Sequence, residues 1–314
     1  MEDLLFALNT TIPVFITMMM GMFFKKIKLF DDHFITKANQ FVFKIALPCL
    51  LFEDISSISI IEAWDLSFVL FCFNVTLLSI IISYFFSKYF ARKEHQGEFI
   101  QASYRSSAAI LGIALINNIY GSSAFAPLMI VASVPLYNMM AVVVLTFFKP
   151  EQEKLSFNVL KKTLWDIIKN PIIIAIVFGM ICSLLNVTQP VIIQKSIHNL
   201  AVLATPLGLM AMGASFTFHQ SNTDIKPAIV ASFLKLVVHV IIFLPLAILC
   251  GFRETKLIAI LVMLGSASTV TCYIMAKNMG HKGQLSSYVV MLTTLGAAFT
   301  LTLYLFLLKS FHFI

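Results

Sequence analysis

Apolar residues run along this chain in long blocks, and short polar stretches separate them. The blocks fall at roughly 4–24, 35–55, 66–87, 98–119, 124–148, 171–188, 191–217, 228–250, 257–277 and 285–308. A helix needs about 20 apolar residues to cross a bilayer. It also satisfies its own backbone groups, which lipid cannot do. The pattern therefore predicts an all-α membrane protein with ten transmembrane helices. Strand-like alternation is absent, which argues against a barrel. The longest polar stretch, 149–170, divides the spans five and five. Within it, 158–168 has apolar residues at helical spacing with lysines between them. That spacing fits either an amphipathic helix on the inner membrane face or a solvated linker helix. The expected organisation is a first five-helix repeat over 1–148, a cytoplasmic linker over 149–170 and a second repeat over 171–314.

Composition sharpens the class. Of 314 residues, 59% are apolar and 12% charged, against about 45–50% and about 25% in soluble domains. So little charge cannot cover a water-facing surface, which excludes a soluble enzyme, a disordered regulator and a disulfide-stapled secreted domain. The net charge of +7 does not point to nucleic acid, because the basic residues are scattered among apolar runs. Lys and Arg instead report orientation, since they accumulate in cytoplasmic loops. With the N-terminus outside, 14 of the 22 fall in inner loops, 3 in outer loops and 5 within spans. Both termini are therefore expected outside the cytoplasm. Acidic Glu2 and Asp3 precede the first block, which reads as a span rather than a cleaved signal. The five cysteines, Cys49, Cys72, Cys182, Cys250 and Cys272, lie far apart in apolar runs and suggest neither a metal site nor a disulfide frame.

The halves are weakly alike. IALPCLLFEDIS in span two aligns with LATPLGLMAMGAS in span seven, placing Pro48 against Pro206 at an offset of 158. Lys37 then falls on Lys195. Spans four and nine end in NNIYG and KNMG, placing Gly121 against Gly280. Five spans per half give opposite orientations, and such inverted repeats are typical of secondary transporters, whose sites lie at interrupted helices. Two matched regions qualify. Span four holds Arg105, Ser106, Ser107, Gly112, Asn117 and Asn118; span nine holds Gly265, Ser266, Ser268, Thr269 and Thr271. Small polar residues also serve close helix packing, so each alone is open to that reading.

Embedded cations say more. A basic residue at a span centre costs about 2.5–3.5 kcal/mol on insertion scales. Arg105 lies about 7 residues into its span, roughly 10 Å at the helical rise. Lys235 lies about 8 residues in, roughly 12 Å by the same rise, and Lys44 lies deep in span two. Each could attract an anion or snorkel to the interface. The neighbouring serines favour an anion at Arg105, whereas snorkelling is expected of Lys44 and Lys235. Glu53 and Asp54, near the outer end of span two, could take protons or cations. His239 shares a helix face with Lys235 and could titrate. Pro135 loosens span five beside Tyr137 and Asn138, offering a side wall. No GxSxG, HExxH or P-loop pattern supports catalysis.

ALPCLLF (46–52), the stretch from Arg105 to Gly112 that ends near YG (120–121), NPIIIAIVFGMI (170–181), TPLGLMAMGASF (205–216), LKLVVH (234–239), AKNMG (276–280) and SSYVVMLTTL (286–295) follow one another in order over nearly the whole chain. In these the chain resembles the auxin efflux carrier family, which includes malate-permease-like bacterial proteins and PIN-type carriers. The resemblance implies two inverted five-helix repeats whose fourth and ninth helices are broken and cross at mid-membrane. It implies elevator-like transport of small organic anions across the cell membrane, and a scaffold that often dimerises. Where relatives carry Asn, Gly and Pro in the fourth span, this chain has Ser107, Ala109 and Ala114. The ninth-span proline place holds Ala267 or Ser268.

The expected substrate-binding residues are Arg105, Ser106, Ser107, Gly112, Asn117, Asn138, Gly265, Ser266, Ser268 and Thr269. Glu53, Asp54, Lys235 and His239 are the candidates for coupling, by proton or sodium. No metal, cofactor or catalytic residue is expected. The alternative is a receptor that binds the ligand without moving it.

Overall fold

The computed structural model describes residues 2–61, 64–107, 126–150, 157–215 and 225–314. Every regular element among them is helical. In chain order these are α1 (Glu2–Lys26), α2 (Asp32–Ser56) and α3 (Leu66–Phe90), α4 (Gln96–Tyr104), α5 (Ala126–Phe147) and α6 (Phe157–Ile168). Then follow α7 (Pro171–Leu184), α8 (Val191–Ala214) and α9 (Ile225–Leu249), α10 (Glu254–Gly265), α11 (Thr271–Asn278) and α12 (Gln284–Ser310). Among the described residues, five helices (α2, α3, α8, α9 and α12) are long and apolar enough to cross a membrane.

Local chemistry sets the helix starts. The carboxylates of Asp31 and Asp65 accept from the backbone N–H of Phe34 and Phe68, and the Asn170 side chain accepts from Ile172 ahead of Pro171. Each supplies an acceptor to an N–H that the first helical turn leaves unpaired. Prolines set the interior breaks. Pro48 has no N–H for the carbonyl of Lys44, four residues back. A π-helical turn, Val42–Ala46, spans that point, and Leu47 N–H donates to the Val42 carbonyl. Pro206 likewise leaves Val202 unserved, and α8 loosens into a turn at Val202–Leu203. The two breaks lie at the same offset of 158 that aligns the prolines in sequence.

The helices fall into two packed groups. In one, α1 lies along the second half of α8, and the second half of α2 lies between α7 and the first half of α8. In the other, α3, α4, α9, α10 and α12 pack around the point where α4 and α10 end, while α5 and α11 touch both groups and α12 also meets α1. Apolar attraction between helices is weak in lipid, so close fit decides such contacts. At α1 and α8 the fit is reciprocal: a Cβ on Gly21 would run into the Met210 carbonyl, and one on Gly213 into the Met18 carbonyl. The outward faces are apolar too. Phe178, Leu249, Phe299 and Phe306 stand exposed on three different helices, as a surface that meets hydrocarbon requires.

Within the polar stretch 149–170, Phe157–Ile168 is helical, and Thr163 is buried. Leu164, Trp165 and Ile168 point outward, with the Lys169 ammonium over the Trp165 ring at 4.8 Å.

Candidate functional site

Two helices stop inside the protein. α4 ends at Tyr104, and Arg105 leaves it in an extended conformation. α10 ends at Gly265, and Ser266 is extended in the same way. The segments that follow meet: Ser107 N–H donates to the Ala267 carbonyl at 2.9 Å. A helix leaves its last four carbonyls without intrahelical donors, and both ends here are buried. Side chains from the opposite half supply what is missing. The Ser268 hydroxyl donates to Ala102 of α4 at 2.6 Å. The Ser106 hydroxyl donates to Met263 of α10 at 2.6 Å, joined there by Tyr137 at 3.0 Å. Each half thus closes the other's open helix. Apart from these ends, Gln101 of α4 donates to the Cys272 carbonyl in the first turn of α11 at 2.8 Å.

Lys235 completes this closure. Its side chain is 1% exposed. The ammonium lies 3.3 Å from the Tyr104 carbonyl of α4, and 3.2 and 2.5 Å from the Met263 and Leu264 carbonyls of α10. The Ser106 hydroxyl oxygen is 2.5 Å away. Lys235 therefore does not snorkel, contrary to the sequence expectation. The carbonyl ends of two helices hold it deep inside, because each end carries partial negative charge. It sits in a π-helical turn of α9, Leu234–Val238. The Tyr304 hydroxyl donates to the Leu236 carbonyl within that turn. Lys44, by contrast, is on the outward surface of α2.

Arg105 is the second buried cation, at 2% exposure. One terminal nitrogen donates to Asn138 Oδ1 at 2.7 Å and to Thr271 Oγ1 at 2.8 Å. The other meets the Met275 sulfur at 2.9 Å, a weak acceptor. Its Nε has no partner. Among the described residues no carboxylate pairs with it. Beside it α11 begins, with the positive end of its dipole at this depth. Thr271 passes the polarity on: its hydroxyl donates to Thr269 Oγ1 at 3.2 Å, and so does its N–H at 3.3 Å. Thr269 therefore accepts twice and keeps its own O–H free, and it is partly exposed. Ser107 is also partly exposed. An uncompensated guanidinium, a helix N-terminus and a free hydroxyl together suit an anion.

The structure sorts the sequence candidates. Arg105, Ser106, Ser107, Asn138, Gly265, Ser266, Ser268, Thr269 and Lys235 converge on the crossing. Gly112 and Asn117 lie outside the described residues. Ser106 and Ser268 have committed their single hydroxyl protons to carbonyls, so in this conformation they lock the crossing and have none left for an anion. Gly265 ends α10 against Val240, which a Cβ would meet at 3.0 Å. Ser266 is fully buried, and its hydroxyl has no partner. His239 is buried one turn from Lys235, close to the Phe243 ring, with Nε2 unpartnered. Glu53 and Asp54 are remote from the crossing. Glu53 pairs with His198 at 2.8 Å in a surface pocket with Ser56, Gln189 and Gln194.

Sequence reasoning gave no binding role to Thr271, Met275 or Gln101. A helix start at Thr269-Val270-Thr271 is the signal that could have marked Thr271. The contacts of Gln101 and Met275 cross between halves and leave no local trace. Among the described residues no group of three His, Cys, Asp or Glu side chains is placed to hold a metal.

Long apolar helices with apolar outer faces, and two helices that end against each other inside, define a multi-pass helical membrane protein with an internal polar centre. Residues 6–305 match the model of the membrane transport protein family. The chain belongs to this family of transporters, that of the auxin efflux carriers and PIN-like proteins. Comparison with curated proteins returns no match.

Proposed function

We propose that this protein is a secondary transporter of small organic anions, mono- or dicarboxylates, working by elevator-like alternating access in the cell membrane. The observation that carries the reading is Arg105: a buried guanidinium with no carboxylate partner among the described residues and with donors to spare. A charge in that position is costly in a membrane unless it is used. A substrate carboxylate would supply the missing countercharge. Thr269 would donate its free hydroxyl, Ser107 and Ser266 would add hydroxyls, and Asn138 would hold the guanidinium in place.

The wider architecture in this reading is ten spans in two inverted five-helix repeats, with both termini outside. The matched proline breaks in α2 and α8 support the repeat, as do the two helix ends that close each other. The group built around the crossing would move against the group of α1, α2, α7 and α8, which could pair with a second copy. An anion held at the crossing would then be exposed to each side in turn.

Proteoliposomes containing the protein should take up a labelled mono- or dicarboxylate, and Arg105→Ala should reduce uptake at least tenfold. A tenfold loss corresponds to about 1.4 kcal/mol, the low end for a hydrogen bond to a charged group. No uptake across a broad panel of organic acids would refute the reading. Saturable binding without flux would instead indicate a receptor.

A further inference from the structure

We propose that Lys235 is a tethered cation occupying the seat that an alkali-metal coupling ion would fill, so that the protein works with neither Na+ nor K+ bound at its crossing. The inference rests on the transport reading above for its meaning, but the seat itself is a matter of geometry.

Three backbone carbonyls and one hydroxyl converge on the Lys235 ammonium: Tyr104, Met263, Leu264 and Ser106 Oγ, at 2.5–3.3 Å. The carbonyls belong to the C-terminal ends of two helices that stop inside the protein, α4 and α10. Carbonyls at such ends are the groups with which transporters coordinate sodium at mid-membrane. Two helix C-termini meeting in a buried place carry roughly one negative charge between them. Some cation must answer it, and here it arrives on the side chain of α9.

The ammonium has three N–H donors and four acceptors around it, so its capacity is spent. Lys235 is therefore not the substrate's ligand, and it differs in kind from Arg105. Alongside lies a small cavity lined by Thr76, Ser79, Tyr137 and His239, and His239 Nε2 is unpartnered there. Removing the lysine side chain would join this space to the oxygen cage and leave room for a free ion.

The test is the melting temperature of the purified protein in NaCl, KCl, methylammonium chloride and choline chloride at equal ionic strength. The wild-type protein should melt at the same temperature in all four. Lys235→Ala should melt lower in choline. A small cation, Na+, K+ or methylammonium, should then raise it by several degrees, as a ligand of the native state does. Lys235→Met, which keeps the bulk without the charge, should melt lower and recover in none. Selective stabilisation of the wild-type protein by Na+ or K+ would overturn the proposal. So would Lys235→Ala that is as stable as wild type in choline, or that no cation stabilises or recovers in folded form. Uptake measured with and without Na+ separates the two readings. Absence of all uptake sinks the transport reading and leaves the melting result standing, whereas Na+-dependent uptake by the wild-type protein sinks only this one.

Discussion

Arg105 and Lys235 are buried cations at one crossing, and their donors decide their roles. Lys235 is saturated by oxygen acceptors. Arg105 spends one nitrogen on a sulfur and leaves another unpaired. The chain of donation from Arg105 through Thr271 to Thr269 then orients a free hydroxyl beside the guanidinium. Such chains strengthen each member by polarisation. Thr271→Val keeps the shape and removes the relay. It should raise the substrate concentration for half-maximal uptake about tenfold or more, since a hydrogen bond to a charged group is worth about 1.5–3 kcal/mol, while Thr271→Ser should restore it. Unchanged affinity in Thr271→Val would show that the residue only packs. Arg105, with its neighbouring serines, stood out in the sequence because a charge in an apolar run is costly. That Ser106 and Ser268 would be consumed as helix caps did not, because their acceptors lie over 150 residues away.

At the scale of elements, prolines and glycines carry the geometry. Pro48 and Pro206 each remove one N–H, and each helix yields four residues before its proline. The contact of α1 with α8 depends on Gly21 and Gly213, where backbone meets backbone. Gly213→Ala should destabilise the protein by about 1–3 kcal/mol, the usual cost of overpacking a close fit, measured as a lower chemical-denaturation or thermal midpoint. A variant as stable as wild type would mean that α1 can move aside freely. The proline breaks were legible in the sequence because a missing N–H is a local property. The glycine contact was not, since nothing in either helix names its neighbour. The π-helical turn at Lys235 has no proline to explain it, and its stabilising contact, the Tyr304 hydroxyl, comes from α12.

For the whole molecule, ion pairs and a buried histidine mark its two ends. Lys256 pairs with Asp65 at one end and Lys282 with Glu94 at the other. The lysines hold both carboxyls below their usual range. A depressed carboxyl contributes stability above its ordinary pKa, about 4, and loses it as pH falls toward the folded value. These pairs are largely solvated, so each is worth about 0–1 kcal/mol. His281 is buried between α11 and α12, 2.9 Å from the Leu145 carbonyl. Burial lowers its pKa; the Leu145 carbonyl and Glu98 oppose that shift, while Lys149 and His95 add to it. A base with a lowered folded pKa is bound neutral, so its contribution is present above the ordinary histidine value of about 6.5 and is lost as pH falls below it. Stability should therefore fall in two stages on acidification, first below about pH 6.5 and again below about pH 4. His281→Gln should diminish the first stage and leave the second unchanged in a melting series against pH. A first stage of undiminished size in the variant would place the titration elsewhere.

Read alone, the chain determined its solvent, its helical class and the places where charge had to be explained. Those follow from sums along the backbone: apolar length, scarce charge and proline chemistry all act within a few residues. Tertiary structure decided which cation is spent and which is left over, which hydroxyls lock the crossing, and that Glu53 and Asp54 lie away from it. These depend on contacts between halves of the chain, where hydrogen-bond capacity is assigned by geometry that no local pattern encodes.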